Sequence, residues 1–225
     1  MSQTVNDVDY QRLISNDVVS ILKKFPKIID GKDAILEMKE GNSKNWKQME
    51  WMGFYFEYWC NENLKYIMEM PYAKKYGNVS FDGFLERPWD FKCHATESGN
   101  IVPINDYEAI SKAVDEFGYL GIILAECSVH YDNESSDFKK WHDVLKGGIS
   151  NYEENRIKRN ASSRKRKTKI KLSKINFIRF DDELLAKCKS FQKNFRNAGG
   201  TVRREKISLD LSKIEDHIEQ VIYFS

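Results

Sequence analysis

Two acidic side chains and a lysine stand close together in Val79-Ser-Phe-Asp82-Gly-Phe-Leu-Glu-Arg-Pro-Trp-Asp90-Phe-Lys92-Cys-His94. Two extended runs, Val79–Leu85 and Trp89–Ala95, joined across Glu86-Arg87-Pro88, make this segment a hairpin centred near Glu86. Alternate residues of a strand share a face, so Asp90, Lys92 and His94 point one way and Trp89, Phe91 and Cys93 the other. Such a hairpin sets Asp82 across from Asp90, with Cβ atoms roughly 5 Å apart. Two carboxylates at that separation repel unless a cation or a proton lies between them. Oxygen-only ligands with positions left open to water suit Mg²⁺ better than zinc. Lys92 would project beside such a cation, where it can orient or deprotonate a water or stabilise the charge on a phosphate. Many hairpins carry Asp and Lys on a solvent face without any chemistry. This one is set apart by the apolar residues on its opposite face, which place the charges at the margin of a core.

The elements around the hairpin follow from periodicity. Asp9–Phe25 places Leu13, Ile14, Val18, Ile21, Leu22 and Phe25 at helical spacing, and Pro26 ends it. A short helix fits Asp33–Lys39. Trp46–Asn63 is apolar nearly all round and is expected to be a deeply buried helix. Leu64–Met70 reads as a short strand stopped by Pro71. Asn105 or Asp106 can cap a helix through Phe117, with Gly118 at its end. Tyr119–Cys127 is a continuous apolar strand of the kind covered on both faces. Farther on, a helix is expected over Asp137–Lys146 before Gly147-Gly148, and a strand at Ile175–Phe180. An amphipathic helix over Asp181–Asn197 runs through Leu184, Leu185, Cys188, Phe191 and Phe195, closed by Gly199-Gly200. Ile207, Leu209 and Leu211 alternate as a last strand.

Phe81-Asp82 followed by Asp90-Phe91-Lys92, between a buried helix and a helix–strand unit, resembles the PD-(D/E)xK nuclease superfamily, whose small stand-alone members include the type II restriction endonucleases. The resemblance covers roughly Trp46–Cys127 and rests on the order of elements as much as on the motif. It implies an α/β (α+β) fold with a restriction-endonuclease-like core of order αβββαβ, a central four-stranded mixed sheet flanked by helices. It further implies Asp82 and Asp90 as ligands of a Mg²⁺ cofactor and Lys92 as the catalytic lysine. A Glu from the preceding helix often joins the family's site; Glu57 is the candidate here, with Glu50, two turns earlier, as the alternate. Two features depart from the pattern. Phe81 replaces the motif's proline, and only seven residues separate Asp82 from Asp90, which makes Glu69 the fallback partner. His94 packs or hydrogen-bonds near the strand end on one reading and contacts a phosphate on the other.

The chain is rich enough in apolar residues, 41%, to bury a core, which argues against disorder. No apolar run approaches the roughly eighteen residues of a membrane span, and no basic-then-apolar leader opens the sequence, so a cytoplasmic protein with no membrane partner is expected. Cys60, Cys93, Cys127 and Cys188 form no Cys-x-x-Cys pair and read as free thiols, while His130, His142 and His217 have no mutual metal-binding spacing. The net charge of +2 conceals an asymmetry: residues 1–150 carry 17 Lys/Arg against 24 Asp/Glu, and residues 151–225 carry 19 against 10. Most of that excess lies in Arg156, Lys158, Arg159, Arg164, Lys165, Arg166, Lys167, Lys169, Lys171 and Lys174, a run without any acid. Asn160, Ser162, Ser163 and Thr168 are interleaved, and Arg203, Arg204 and Lys206 can extend the surface. Residues 1–150 are therefore expected to hold the catalytic core with its N-terminal helix, and residues 151–225 a basic DNA-binding extension packed on it. The expected function is type II restriction: Mg²⁺-dependent hydrolysis of double-stranded DNA at a specific, palindromic site by a homodimer, with a cognate DNA methyltransferase implied. The alternatives are a DNA-binding protein without catalysis and a DNA repair or junction-resolving nuclease.

Overall fold

From Leu120 to Cys127 Glu126 is the sole charged residue, and a strand of that composition needs apolar cover on both sides. The computed structural model describes residues 15–77, 79–163, 165–191 and 205–224. Its first elements are α1 (Asn16–Leu22), β1 (Ile28–Asp30), α2 (Gly31–Glu40), α3 (Trp51–Leu64), β2 (Gly83–Leu85), β3 (Arg87–Ala95), β4 (Ile101–Asp106) and α4 (Tyr107–Phe117). There follow β5 (Leu120–Tyr131), α5 (Asp137–Leu145), α6 (Asn151–Lys158), β6 (Lys167–Phe180), α7 (Asp182–Lys187), β7 (Lys189–Phe191), β8 (Lys206–Asp210) and β9 (Ile218–Tyr223).

β2, β3, β5 and β6 lie side by side in that order. The outer edge of β6 carries β1 beside Lys169–Lys171 and β9 beside Lys174–Ile178. β3 and β5 run parallel, and every other pairing in this sheet is antiparallel. The fold is thus mixed α/β, with a mixed central sheet flanked by helices, and β4, β8 and β7 form a second, antiparallel sheet. β5 is covered as its composition requires. Ile123, Ala125 and Cys127 pack with Trp89 and Phe91 of β3 against Trp51, Phe56 and Cys60 of α3. Leu120, Ile122 and Leu124 pack the other way, with Ile110 and Val114 of α4, Leu184 of α7 and Leu209 of β8. Each large side chain buried in this way contributes about 1.5–3 kcal/mol. No helix is long and apolar enough to cross a membrane among the described residues.

Local signals set several boundaries. The Asp106 carboxylate accepts from the Glu108 amide at 3.2 Å and caps α4, and Gly118, at φ 77°, closes that helix in the left-handed region. Asp132 accepts the amides of Phe138 (3.1 Å) and Lys139 (3.0 Å) at the start of α5. Other expectations change. Leu64–Met70 does not form a strand: α3 consumes Leu64, and only Glu69 bridges to Phe84 of β2 before Pro71. Val79–Leu85 shortens to the three residues of β2. The third strand between the two helices is instead β4, which contains Pro103 and belongs to the second sheet. The order α3, β2, β3, β4, α4, β5 therefore holds, but only β2, β3 and β5 of that series share the central sheet.

The C-terminal part supplies β6 and β9 to the same sheet as β3 and β5. β6 starts eight residues before the expected Ile175, because Ile170 and Leu172 alternate as buried residues between exposed lysines. The helix expected over Asp181–Asn197 ends at Lys187, and Lys189–Phe191 pairs with β8 instead. Leu13, Ile14, Phe195, Asn197, Gly199 and Gly200 lie outside the described residues.

Trp89, the residue before Asp90, lies flat over Gly121 of β5, where a Cβ would overlap its indole ring. Gly121→Ala should therefore destabilise the protein by about 1–3 kcal/mol, the range of overpacked cores. An unchanged denaturation midpoint would show that the ring is not seated there.

Candidate active site

The hairpin turns on one residue. Glu86 has φ 59°, and the pairs Leu85↔Arg87, Phe84↔Pro88 and Gly83↔Trp89 close around it. Extending that register by one pair sets Asp82 opposite Asp90, as the spacing about Glu86 requires. β2 stops at Gly83, and the Asp82 side chain takes over the pairing. Its Oδ2 accepts from the Phe91 amide at 2.6 Å, while its own amide donates to the Trp89 carbonyl at 3.0 Å. Asp82 is thereby held against β3 by both backbone and carboxylate.

The alternation along β3 buries Trp89 and Phe91 beside α3 and turns Asp90 and Lys92 to the opposite face, level with Ile122 and Leu124 of β5. Asp90 is 2% exposed. Its Oδ2 lies 2.6 Å from Lys92 Nζ, and its Oδ1 accepts from Asn105 Nδ2 at 3.3 Å. Lys92 Nζ also donates to the Phe91 carbonyl at 3.2 Å. Burial opposes the charge on Lys92, but Asp90, Asp82 and Glu57 outweigh it and hold the ammonium above its usual range. Asp82 is pushed well above the ordinary carboxylate range by burial and by the neighbouring Asp90 and Glu57, against the pull of Lys92 and the Phe91 amide.

Glu57, from the middle of α3, senses the same charges. Burial raises its carboxyl to about 7, with Asp90 adding to the effect and Lys92 and Lys206 opposing it. Glu57 and Asp82 line a cleft of ≈ 330 Å³ with Ser80, Phe81 and Asn61. The alternates lie elsewhere. Glu50 is ion-paired with Lys167 of β6 at 2.7 Å, and the Glu69 carboxylate accepts from the Ala73 amide at 3.1 Å. His94 is buried, with Nε2 donating to the Gly99 carbonyl at 2.7 Å, which ties the end of β3 to the following turn. Asn105 was readable only as a possible helix cap. Its contact with Asp90 bridges the two sheets, and no local signal announces it.

The donors are carboxylate oxygens, the ligand type that hard divalent cations take, and Mg²⁺ commonly uses one or two of them and completes its shell with water. Among the described residues no three His, Cys, Asp or Glu side chains converge as a ligand group. A cation bound here would have only Asp82 and Asp90 as carboxylate ligands and would compete with the Lys92 ammonium, which pairs with Asp90 at 2.6 Å.

The basic run divides in two. Lys158, Arg159, Asn160, Lys165, Lys169 and Lys171 are exposed. Arg156 is engaged inside the protein, gripping Glu153 with two bonds of 2.8 Å and donating to the Ala161 carbonyl. Lys167 pairs with Glu50, and Lys174 with Glu126 at 3.1 Å. Arg166 is buried, so it cannot meet DNA as part of an open surface. Lys206 is exposed, and its charge acts on Glu57 to oppose the rise of its carboxyl. Arg164, Arg203 and Arg204 lie outside the described residues.

A proton on Glu57 is held more tightly in the folded chain, at about 7 against an ordinary 4.5, so folding takes up protons between those values. Stability should thus fall as pH rises from about 4.5 to about 7, with Asp82 acting in the same direction. In metal-free buffer Glu57→Gln should reduce that fall by on the order of 2 kcal/mol, measured by denaturant titrations at pH 5 and pH 8. An equal fall in both proteins would remove Glu57 from the site.

Comparisons of the chain with models of known families, with curated proteins and with solved structures found no match.

Proposed function

We propose that this protein is a Mg²⁺-dependent endodeoxyribonuclease of the PD-(D/E)xK type, acting on double-stranded DNA as a type II restriction enzyme does. The observation that carries the reading is the opposed pair Asp82 and Asp90, with Lys92 on Asp90 and Glu57 in electrostatic range. Carboxylates crowded so that Asp90 raises the proton affinity of both Asp82 and Glu57 are costly to a fold and concentrate where chemistry uses them. The hairpin, the helix ahead of it and the helix–strand unit behind it support the nuclease assignment by their order.

In this reading Asp82 and Asp90 hold Mg²⁺, which when bound lowers the pKa of water and offsets charge on the phosphate. Asn105 fixes the Asp90 carboxylate, and the Phe91 amide fixes that of Asp82. Lys92 is kept protonated by its neighbours, so it serves as a positive charge for a phosphate oxygen and not as a base. Glu57, poised near neutrality, is the group able to accept a proton from an attacking water. Exposed Lys158, Arg159, Lys165, Lys169 and Lys171 offer the sequence-independent grip on phosphates, and Asn160 a side chain able to read a base edge. Cutting both strands of a palindromic site implies a homodimer, and protection of the host implies a companion methyltransferase.

Asp90→Ala should lower cleavage in Mg²⁺ at least about 100-fold while leaving DNA binding in Ca²⁺ intact. Normal cleavage by that variant would sink the site assignment. Plasmid DNA left intact but shifted by the wild-type protein would instead favour a DNA-binding protein without catalysis. Replacing Lys165, Lys169 and Lys171 together with Ala should weaken binding and reduce its salt slope by about three. If Lys167→Ala matched that effect, the division of the basic run would be wrong.

A further inference from the structure

A second cavity, of ≈ 720 Å³, lies among the loop after α5, the start of α6 and the chain entering β6. Arg166 forms part of its wall. It is 9% exposed, and its Nε and Nη1 find no hydrogen-bond partner among the described residues. Two acids line the same cavity, yet each is already neutralised. Asp143 is paired with Lys139 at 3.0 Å and Lys146 at 2.8 Å. Glu153 is paired with Lys139 at 2.9 Å and Arg156 at 2.8 Å. The Arg166 charge is left over in a wall where Lys47, Lys146 and Arg156 already outnumber the acids. Asp143, Glu153 and Glu50 attract the guanidinium from a distance, but two buried donor nitrogens without a hydrogen-bond partner are strongly unfavourable and call for an anion.

We propose that this cavity binds the phosphate group of a phosphate ester, with Arg166 as its principal ligand. The planar guanidinium presents parallel N–H donors that match two phosphate oxygens. Ser162 brings a hydroxyl to the wall, and α6, eight residues long and capped by Ser150, begins there with its amide dipoles favouring an anion. The volume exceeds what a phosphate alone fills and leaves room for the organic part of the ester. None of these residues belongs to the carboxylate hairpin, so this site stands or falls independently of the nuclease reading.

The test is a titration of the full chain with inorganic phosphate against chloride at matched ionic strength, followed by thermal denaturation and calorimetry. Wild-type protein should show saturable phosphate binding and a rise in Tm that chloride does not give. Arg166→Met should weaken that binding about tenfold or more, and in chloride alone it should be at least as stable as wild type, because a buried cation with two unsatisfied donor nitrogens is gone. Should Arg166→Met fail to fold, Lys47→Gln at the exposed rim should weaken phosphate binding several-fold without loss of structure. Displacement of phosphate by a short DNA duplex would identify the ester as a backbone phosphate. Displacement by adenosine 5′-monophosphate but not by duplex would identify a small phosphate ester. Phosphate that neither displaces overturns the assignment to an ester. No saturable phosphate effect in wild type, or equal affinity in wild type and the variants, overturns the site itself.

Discussion

β3 has to satisfy two neighbours at once, and its register is the constraint on which the site depends. On one side Glu86 turns the chain back so that Gly83 faces Trp89; on the other, Asp90 and Lys92 run level with Ile122 and Leu124 of β5. A slip of one residue would exchange the faces and drive Asp90 and Lys92 into the core formed by Trp51, Phe56 and Ile123. Trp89 and Phe91 prevent it, because their burial is available in one register only. The seating of Trp89 over Gly121 and the turn at Glu86 therefore position the carboxylates as firmly as any contact the carboxylates make themselves.

Within that frame the charges are balanced but not relaxed. Lys92 neutralises Asp90, and the Phe91 amide partly compensates Asp82, yet Asp82 and Glu57 still hold protons above their ordinary range. A buried ion pair of this kind is weak evidence for stability, since an apolar replacement of similar volume would often do as well. In the proposed nuclease reading, a cation at this site would take the place on Asp90 that the Lys92 ammonium holds here.

The basic segment carries a related lesson about charge. Ten cations in nineteen residues look alike in sequence, but the fold assigns them different surroundings. Lys169 and Lys171 point to solvent from the strand that buries Ile170 and Leu172, whereas Arg156, Lys167 and Lys174 are taken up by Glu153, Glu50 and Glu126. Arg166 is drawn into the interior, where its Nε and Nη1 find no hydrogen-bond partner among the described residues. The surface able to follow a phosphate backbone is correspondingly narrower than composition suggests.

Local chemistry made the hairpin legible. The spacing about Glu86, the alternation of Trp89, Phe91 and Cys93 with Asp90, Lys92 and His94, and the helix before it can all be read from neighbours within a few residues. The same holds for the cap at Asp106, the stop at Gly118 and the doubly covered strand after it. The partners across the molecule could not be read that way. Asn105 reaches Asp90 from the second sheet, the charge of Lys206 on β8 is felt by Glu57, and β6 threads a lysine-rich segment between β5 and β1. Lysines alternating with isoleucine and leucine carry a strand's period, but their charge hides it until neighbouring strands bury the apolar half. The sequence by itself thus determined which residues share the face of β3 and where the chain turns, because those depend on backbone geometry. Which charges meet one another was decided only by the tertiary structure, because that depends on strands far apart in the chain being packed side by side.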